Sequence, residues 1–134
     1  MEHNNQIHSR AEITIEKGKI EEFKKLVQEM SRVVEANEPD TISFQYYLNR
    51  DDETKCIVNE TYANSEAVLA HINGVASQTI LPKVFSASRI SRLDVYGNPS
   101  EGLQKVLTSF GPQIYNPYAG FSRCDSSCLI GSRE

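Results

Sequence analysis

No run of this chain is long and apolar enough to span a bilayer, and its start, MEHNNQIHSR, lacks the hydrophobic centre of a secretory signal. The expected compartment is cytoplasmic. Positive charge is also short: 14 Lys and Arg against 18 Asp and Glu leave a formal charge of -4, which offers no basic stripe to nucleic acid or to an anionic membrane. Cysteine is scarce and odd in number. Cys124 and Cys128 form a CDSSC pair with only Cys56 besides, so no second ligand pair has zinc-binding spacing and there is no basis for a disulfide framework. The sequence implies no metal, and the CDSSC thiols fall on a loose tail, residues 124–134. Repeats, low-complexity linkers and tryptophan are absent as well. What remains, 134 residues at 39% hydrophobic and 24% charged, can bury a sizeable core in one domain, 1–134.

Within that domain the core is expected over about 7–98. The chain opens with about six polar residues expected to stay mobile, then gives a strand with Ser9, Ala11, Ile13 and Ile15 on one side and His8, Arg10, Glu12 and Thr14 on the other. A turn at Lys17 and Gly18 leads into a helix striped by Ile20, Phe23, Leu26, Val27, Met30, Val33 and Val34, with a Glu21–Lys25 pair on its wet face. Pro39 ends the turn after it.

The richest stretch follows, from Glu38 to His71. Ile42, Phe44, Tyr46 and Leu48 alternate with polar positions, and Cys56, Val58, Glu60 and Tyr62 do the same beyond an Asp51-Asp52-Glu53 loop, so two hairpin strands are predicted. Matching apolar to apolar pairs Leu48 with Cys56, Tyr46 with Val58, Phe44 with Glu60 and Ile42 with Tyr62. That register places one carboxylate, Glu60, among aromatic rings. A helix capped by Asn64 then carries a stripe of Val68, Leu69, Ile72, Val75 and Ala76, with His71 at its edge. If the helix covers the hairpin, Glu60 and His71 wall one space.

Beyond it, Pro82 is expected in the first turn of a second short helix, or as a break of the segment into two. Ile90 to Tyr96 reads as a fourth strand, with Arg92, Asp94 and Tyr96 on the side of Ile90 and Leu93 and Val95 opposite. Residues 99–123 are expected to form a C-terminal helix and extended segment: Asn98, Pro99 and Glu101 are a helix start signal, Gly111 and Pro112 stop it, and Pro117 keeps Ile114 to Phe121 out of a central position, as an edge or crossing strand. The element order predicts an α+β fold, an antiparallel sheet with helices on one face. A second copy is the simplest cover for the other face, so a two-fold homodimer is expected, with sheets facing and the aromatic C-terminal segment reaching onto the partner.

These residues carry a family resemblance. Glu38-Pro39-Asp40-Thr41, Tyr46-Tyr47-Leu48, Glu60-Thr61-Tyr62, Ser65-Glu66-Ala67 and Ala70-His71 resemble the antibiotic biosynthesis monooxygenase domain, and Val95 to Ser100, Phe110-Gly111-Pro112 and Gly120 to Arg123 resemble a longer-tailed branch of its superfamily. The resemblance spans about residues 9–123 and implies a ferredoxin-like dimeric α+β barrel. It also implies a small aromatic ligand and, for the oxygenases of the family, no cofactor. In active members a tryptophan often follows the strand glutamate by two positions; here that residue is Tyr62. Haem degradation, which in the family uses a tryptophan with an asparagine and a helix histidine, is therefore disfavoured, although His71 matches the histidine and Asn59 is a weak substitute on the opposite strand face.

The chemistry these residue types allow is proton abstraction from an electron-rich phenol or quinol, which then reacts with dioxygen unaided. His71 or Glu60 is the candidate base, and Tyr46 or Tyr62 the donor to the resulting oxyanion. Phe44, Tyr62, Leu69, Ile72, Phe85 and Ile90 are the candidate walls of the ring site. The alternative keeps the fold without turnover. Glu60 then accepts hydrogen bonds or pairs with Arg92, the tyrosines and His71 pack the core, and the protein is a non-catalytic ligand-binding or stress-associated dimer.

Overall fold

The structure is a computed structural model in which residues 5–123 are described; Cys124, Cys128 and the rest of the predicted tail lie outside them, as do the first four residues. Strand β1 (Ile7–Ile15) leads to helix α1 (Ile20–Asn37), the hairpin β2 (Thr41–Leu48) and β3 (Lys55–Tyr62), and helix α2 (Ser65–Ile72). Short helices α3 (Val75–Thr79) and α4 (Leu81–Ser86) precede β4 (Ser88–Tyr96), and α5 (Glu101–Leu107) with a 3-10 turn leads to β5 (Gln113–Tyr115). The strands form one sheet in the order β2-β3-β1-β4-β5. All its pairings are antiparallel except β4 with β5, which run parallel. This is a ferredoxin-like α+β fold, its order β-α-β-β-α-β extended by one short edge strand. β5 ends before Pro117, whose missing N–H would break a ladder.

Helix α1 forms as its stripe predicts: Phe23, Val27, Met30 and Val34 are buried, and Ile20, Leu26 and Val33 pack beside them. They meet Ala11, Ile13, Ile15, Cys56 and Val58 of the sheet, with Ala76, Ile80 and Val84 closing the same core. A second cluster of Ile7, Tyr62, Ala67, Val68, Val95, Leu103 and Leu107 joins α2 and α5 to the other end of the sheet. Gly18, at φ 86°, makes the turn into α1 because only glycine takes that conformation freely. On the wet side Glu21 faces Lys24 at 3.5 Å, one position short of the expected Lys25, and Lys24 reaches Glu53 at 3.2 Å.

Three expectations of phase are corrected. The hairpin register is as predicted from Leu48–Cys56 through Phe44–Glu60, but an irregularity between Thr41 and Ser43 pairs Tyr62 with Thr41 and displaces Ile42. In β4 a bulge lets Ile90 pair with Ile13 while Arg92 pairs with Glu12, so Ser91 is the extra residue and its hydroxyl donates to the Glu12 carbonyl at 3.1 Å. Ile90 therefore shares the core face with Leu93 and Val95 instead of lying with Arg92, as an inserted residue reverses strand phase. Third, the His71 helix does not continue through Val75: it stops at Asn73, Gly74 is extended at φ -79°, ψ 169°, and α3 starts in a new phase. Val75 is left 52% exposed. The cap of α5 also lies later than Asn98, at Ser100, whose hydroxyl accepts from the Leu103 N–H at 3.1 Å.

The face away from the helices is polar. Arg10 pairs with Glu12 at 2.8 Å, Arg92 with the buried Asp94 at 2.9 Å, and His8 with the Thr61 hydroxyl at 2.9 Å. No helix among the described residues is long and apolar enough to cross a membrane.

Candidate functional site

Two local devices position His71. Asn64 caps α2 as its side chain accepts from the Ala67 N–H at 2.9 Å, which fixes where the helix starts and hence that Ala67, Val68 and His71 turn inward. Glu38 then arrives from the far side. It caps the C-terminus of α1, its N–H donating to the Val34 carbonyl at 2.9 Å, and Pro39 forbids Glu38 a helical conformation, so the chain turns there. The result is a buried dyad: His71 is 7% exposed and Glu38 9%, and Nδ1 of His71 lies 2.7 Å from Oε1 of Glu38. Where the carboxylate accepts, Nδ1 is the donor to Glu38 and Nε2 is left for other partners. The Ser77 hydroxyl lies 3.5 Å from Nε2, and the Thr41 hydroxyl donates to Glu38 Oε1 at 3.1 Å.

The second polar pair stands on β3. Residues 60 and 62 share a strand face, and the Tyr62 hydroxyl donates to Oε1 of Glu60. Tyr62 is 1% exposed, and burial first, then the Glu60 charge, pushes its phenol well above the ordinary range. Tyr46 is pushed up likewise by burial and by Glu60. Both phenols are therefore neutral hydrogen-bond donors at any physiological pH.

Between these groups lies a cavity of about 130 Å³ with an almost wholly apolar surface. His71, Glu60, Tyr46, Phe44, Tyr62, Ile72, Phe85 and Ile90 all line it. Leu69 does not; it packs instead on the cluster around Val68 and Leu103. The His71 ring sits 5.5 Å from the Phe44 ring and 5.6 Å from that of Tyr62, so the imidazole is one face of an aromatic box. Ile90 reaches the cavity only through the bulge at Ser91. Glu60 and His71 share the space as the register and helix phase required, but neither is the other's partner, and Arg92 binds Asp94 on the opposite sheet face. Sequence reasoning missed Glu38. It lies 33 positions before His71, and its one signal was its place in the Glu-Pro-Asp-Thr run. Among the described residues no group of three His, Cys, Asp or Glu converges as a metal site.

The fold is a ferredoxin-like sheet whose helix-covered face carries an apolar cavity lined by a histidine, and comparison with known proteins gives the chain a family. The model of the antibiotic biosynthesis monooxygenase family matches residues 6–82, and the chain belongs to that family. No curated protein sequence matches the chain. Among solved structures, MupZ from Pseudomonas fluorescens is similar at a TM-score of 0.78 with 22% identity, over 90% of this chain and 96% of that one. SnoaB, a cofactor-independent oxygenase from Streptomyces nogalater solved as its N63A mutant, aligns at 0.62 with 10% identity over 72% of this chain and 95% of that one. A conserved protein from Methanosarcina mazei Go1 aligns at 0.61 with 16% identity, over 69% and 92%. At these identities the likeness is one of fold.

Proposed function

We propose that this protein is a cofactor-independent monooxygenase acting on a small phenolic or quinol-type aromatic compound, with His71 as the general base. One observation carries the reading. An imidazole, nine-tenths buried, lines an apolar cavity while a buried carboxylate holds its Nδ1 at 2.7 Å. Glu38 fixes the tautomer and stabilises the imidazolium formed when His71 takes a proton. The Tyr46 hydroxyl, kept neutral by burial, then donates to the substrate oxyanion. Volume limits the substrate: an apolar cavity on the order of 150 Å³ takes a benzene-sized ring, so about 130 Å³ accommodates one ring, with any further rings at the mouth by Phe85 and Phe110. The deprotonated ring is the electron donor. For a CH₂ flanked by aromatic rings, CH₂ + O₂ → C=O + H₂O balances with no external reductant, one oxygen atom entering the product and the other leaving as water.

The test is oxygen uptake with a panel of quinols and anthrone-like phenols. His71→Ala should lose about 10²- to 10⁴-fold in turnover per folded molecule. Glu60→Gln leaves the dyad in place and should lose less; a larger loss in Glu60→Gln than in His71→Ala assigns the base to Glu60 and overturns the assignment. A second reading rests on Tyr46: a neutral donor and a buried base lining one cavity also suit proton-transfer chemistry without dioxygen. Substrate consumption with no oxygen uptake selects it. The homodimer belongs to the same proposal, formed through the polar sheet face on which Tyr47 stands 52% exposed.

A further inference from the structure

Glu38 stands between two spaces. On one side its Oε1 accepts from His71, which lines the cavity. On the other, the residue lines a separate surface cleft of about 310 Å³ shared with Asp40, Thr41, Ala70 and Gly74. Its Oε2 is buried and finds no hydrogen-bond partner among the described residues, an expensive arrangement for a carboxylate oxygen with only a structural task. Gly74 is what leaves Oε2 room. A Cβ there would come within 3.1 Å of Oε2 and 3.0 Å of the Ala70 carbonyl, although the backbone at φ -79° suits any residue. The break between α2 and α3 thus places a side-chain-free position against the unpaired oxygen, on the cleft side of the dyad.

We propose that Glu38 relays protons between His71 and this cleft, so that the base inside the apolar cavity exchanges with solvent by a route that bypasses the ligand. The inference rests on the reading of His71 as the base. The ligand's X–H proton moves to Nε2, the Nδ1 proton passes to Oε1, and the resulting carboxylic acid rotates to bring its O–H to the side of Gly74, where it releases the proton to water in the cleft. In the reverse sense the imidazole returns the Nε2 proton to the product and Nδ1 recovers one from Glu38. One proton enters the dyad and one leaves it in each direction, and only X–H, N–H and O–H bonds change. Tyr62 and Glu60 on β3, Tyr46 on β2 and Asp40 in the turn are the other titratable groups around the dyad.

The experiment measures exchange of the His71 Nδ1 proton with water by NMR on ¹⁵N-histidine-labelled protein, with no substrate present. Two variants leave His71 in place. Glu38→Gln keeps an oxygen to accept from Nδ1 but cannot take up a proton, and Gly74→Ala crowds Oε2 without removing any polar group; circular dichroism confirms that each is folded. Both should slow the exchange by roughly 10²-fold, the scale of a lost proton-transfer group, while the Nδ1–H resonance stays in place. Formate added to Glu38→Gln should restore exchange in proportion to its concentration. Parental exchange in both variants overturns the relay and leaves Glu38 as an orienting group. Because this measurement needs no turnover, slowed exchange in a protein that oxidises none of the phenols sinks the oxygenase reading alone.

Discussion

Removing one oxygen atom tests the polar half of the cavity. Tyr62→Phe keeps a ring that is 1% exposed and packed in the cluster of Ile7, Val68 and Leu103, and deletes only the hydroxyl that donates to Glu60. No cavity larger than an oxygen opens, so the cost is that of the hydrogen bond. A bond to a charged acceptor contributes about 1.5–3 kcal/mol, and in a chain of this length each kcal/mol moves the midpoint by about 3–4 °C, so a fall of about 5–10 °C is expected. Urea unfolding reads the same quantity as a lower midpoint at unchanged slope. The Glu60→Gln, Tyr62→Phe double variant should fall short of the summed single costs by about 1 kcal/mol, since the two side chains share one interaction. The pH dependence has a fixed sign. The folded state raises the Tyr62 phenol above its ordinary range, so its contribution is complete below pH 10 and declines as pH rises through the raised value. Tyr62→Phe should therefore lose less stability than the parent above pH 10. A single-variant cost below about 0.5 kcal/mol together with additive behaviour would refute the pairing.

Further outcomes concern the cysteine and the assembly. Burial pushes the Cys56 thiol up from 9.0 to about 11, so iodoacetamide at pH 8 should leave it unmodified in the folded protein and label it in urea; native labelling at the rate of a free thiol contradicts this. By the same linkage, its contribution to stability is intact below pH 9 and is lost as pH rises through about 11, which urea titrations of the parent and Cys56→Ala compare. Light scattering should report a dimer at micromolar concentration with or without reductant, and a monomer under both conditions removes the sheet-to-sheet assembly.

The hairpin shows how far local chemistry reaches. Alternation in Phe44, Tyr46, Leu48 and in Cys56, Val58, Glu60 was enough to set the register, because a slip by one residue would put every apolar side chain in water. It also put Glu60 and Tyr62 on one face. Asn64 and the helical period placed His71 inward in the same way, since an N-cap and 100° per residue fix a direction. The approach of Glu38 was not legible by such means. Its side chain meets His71 only because α1 ends beside α2 once both lie on the sheet, a contact 33 residues apart that no periodicity encodes.

Element order, the faces of the hairpin strands, the stripe of α1 and the inward turn of His71 were thus written in the sequence, because each depends on steric and hydrophobic rules that act over a few neighbouring residues. Three things waited for the tertiary structure. The bulge at Ser91 brings Ile90 to the cavity because β4 must match β1 on one side, which its own pattern does not show. The break at Gly74 answers the Glu38 carboxylate packed against it. The partner of His71 was decided by packing: among the described residues, the carboxylate at the end of α1 lies within hydrogen-bond reach of its Nδ1.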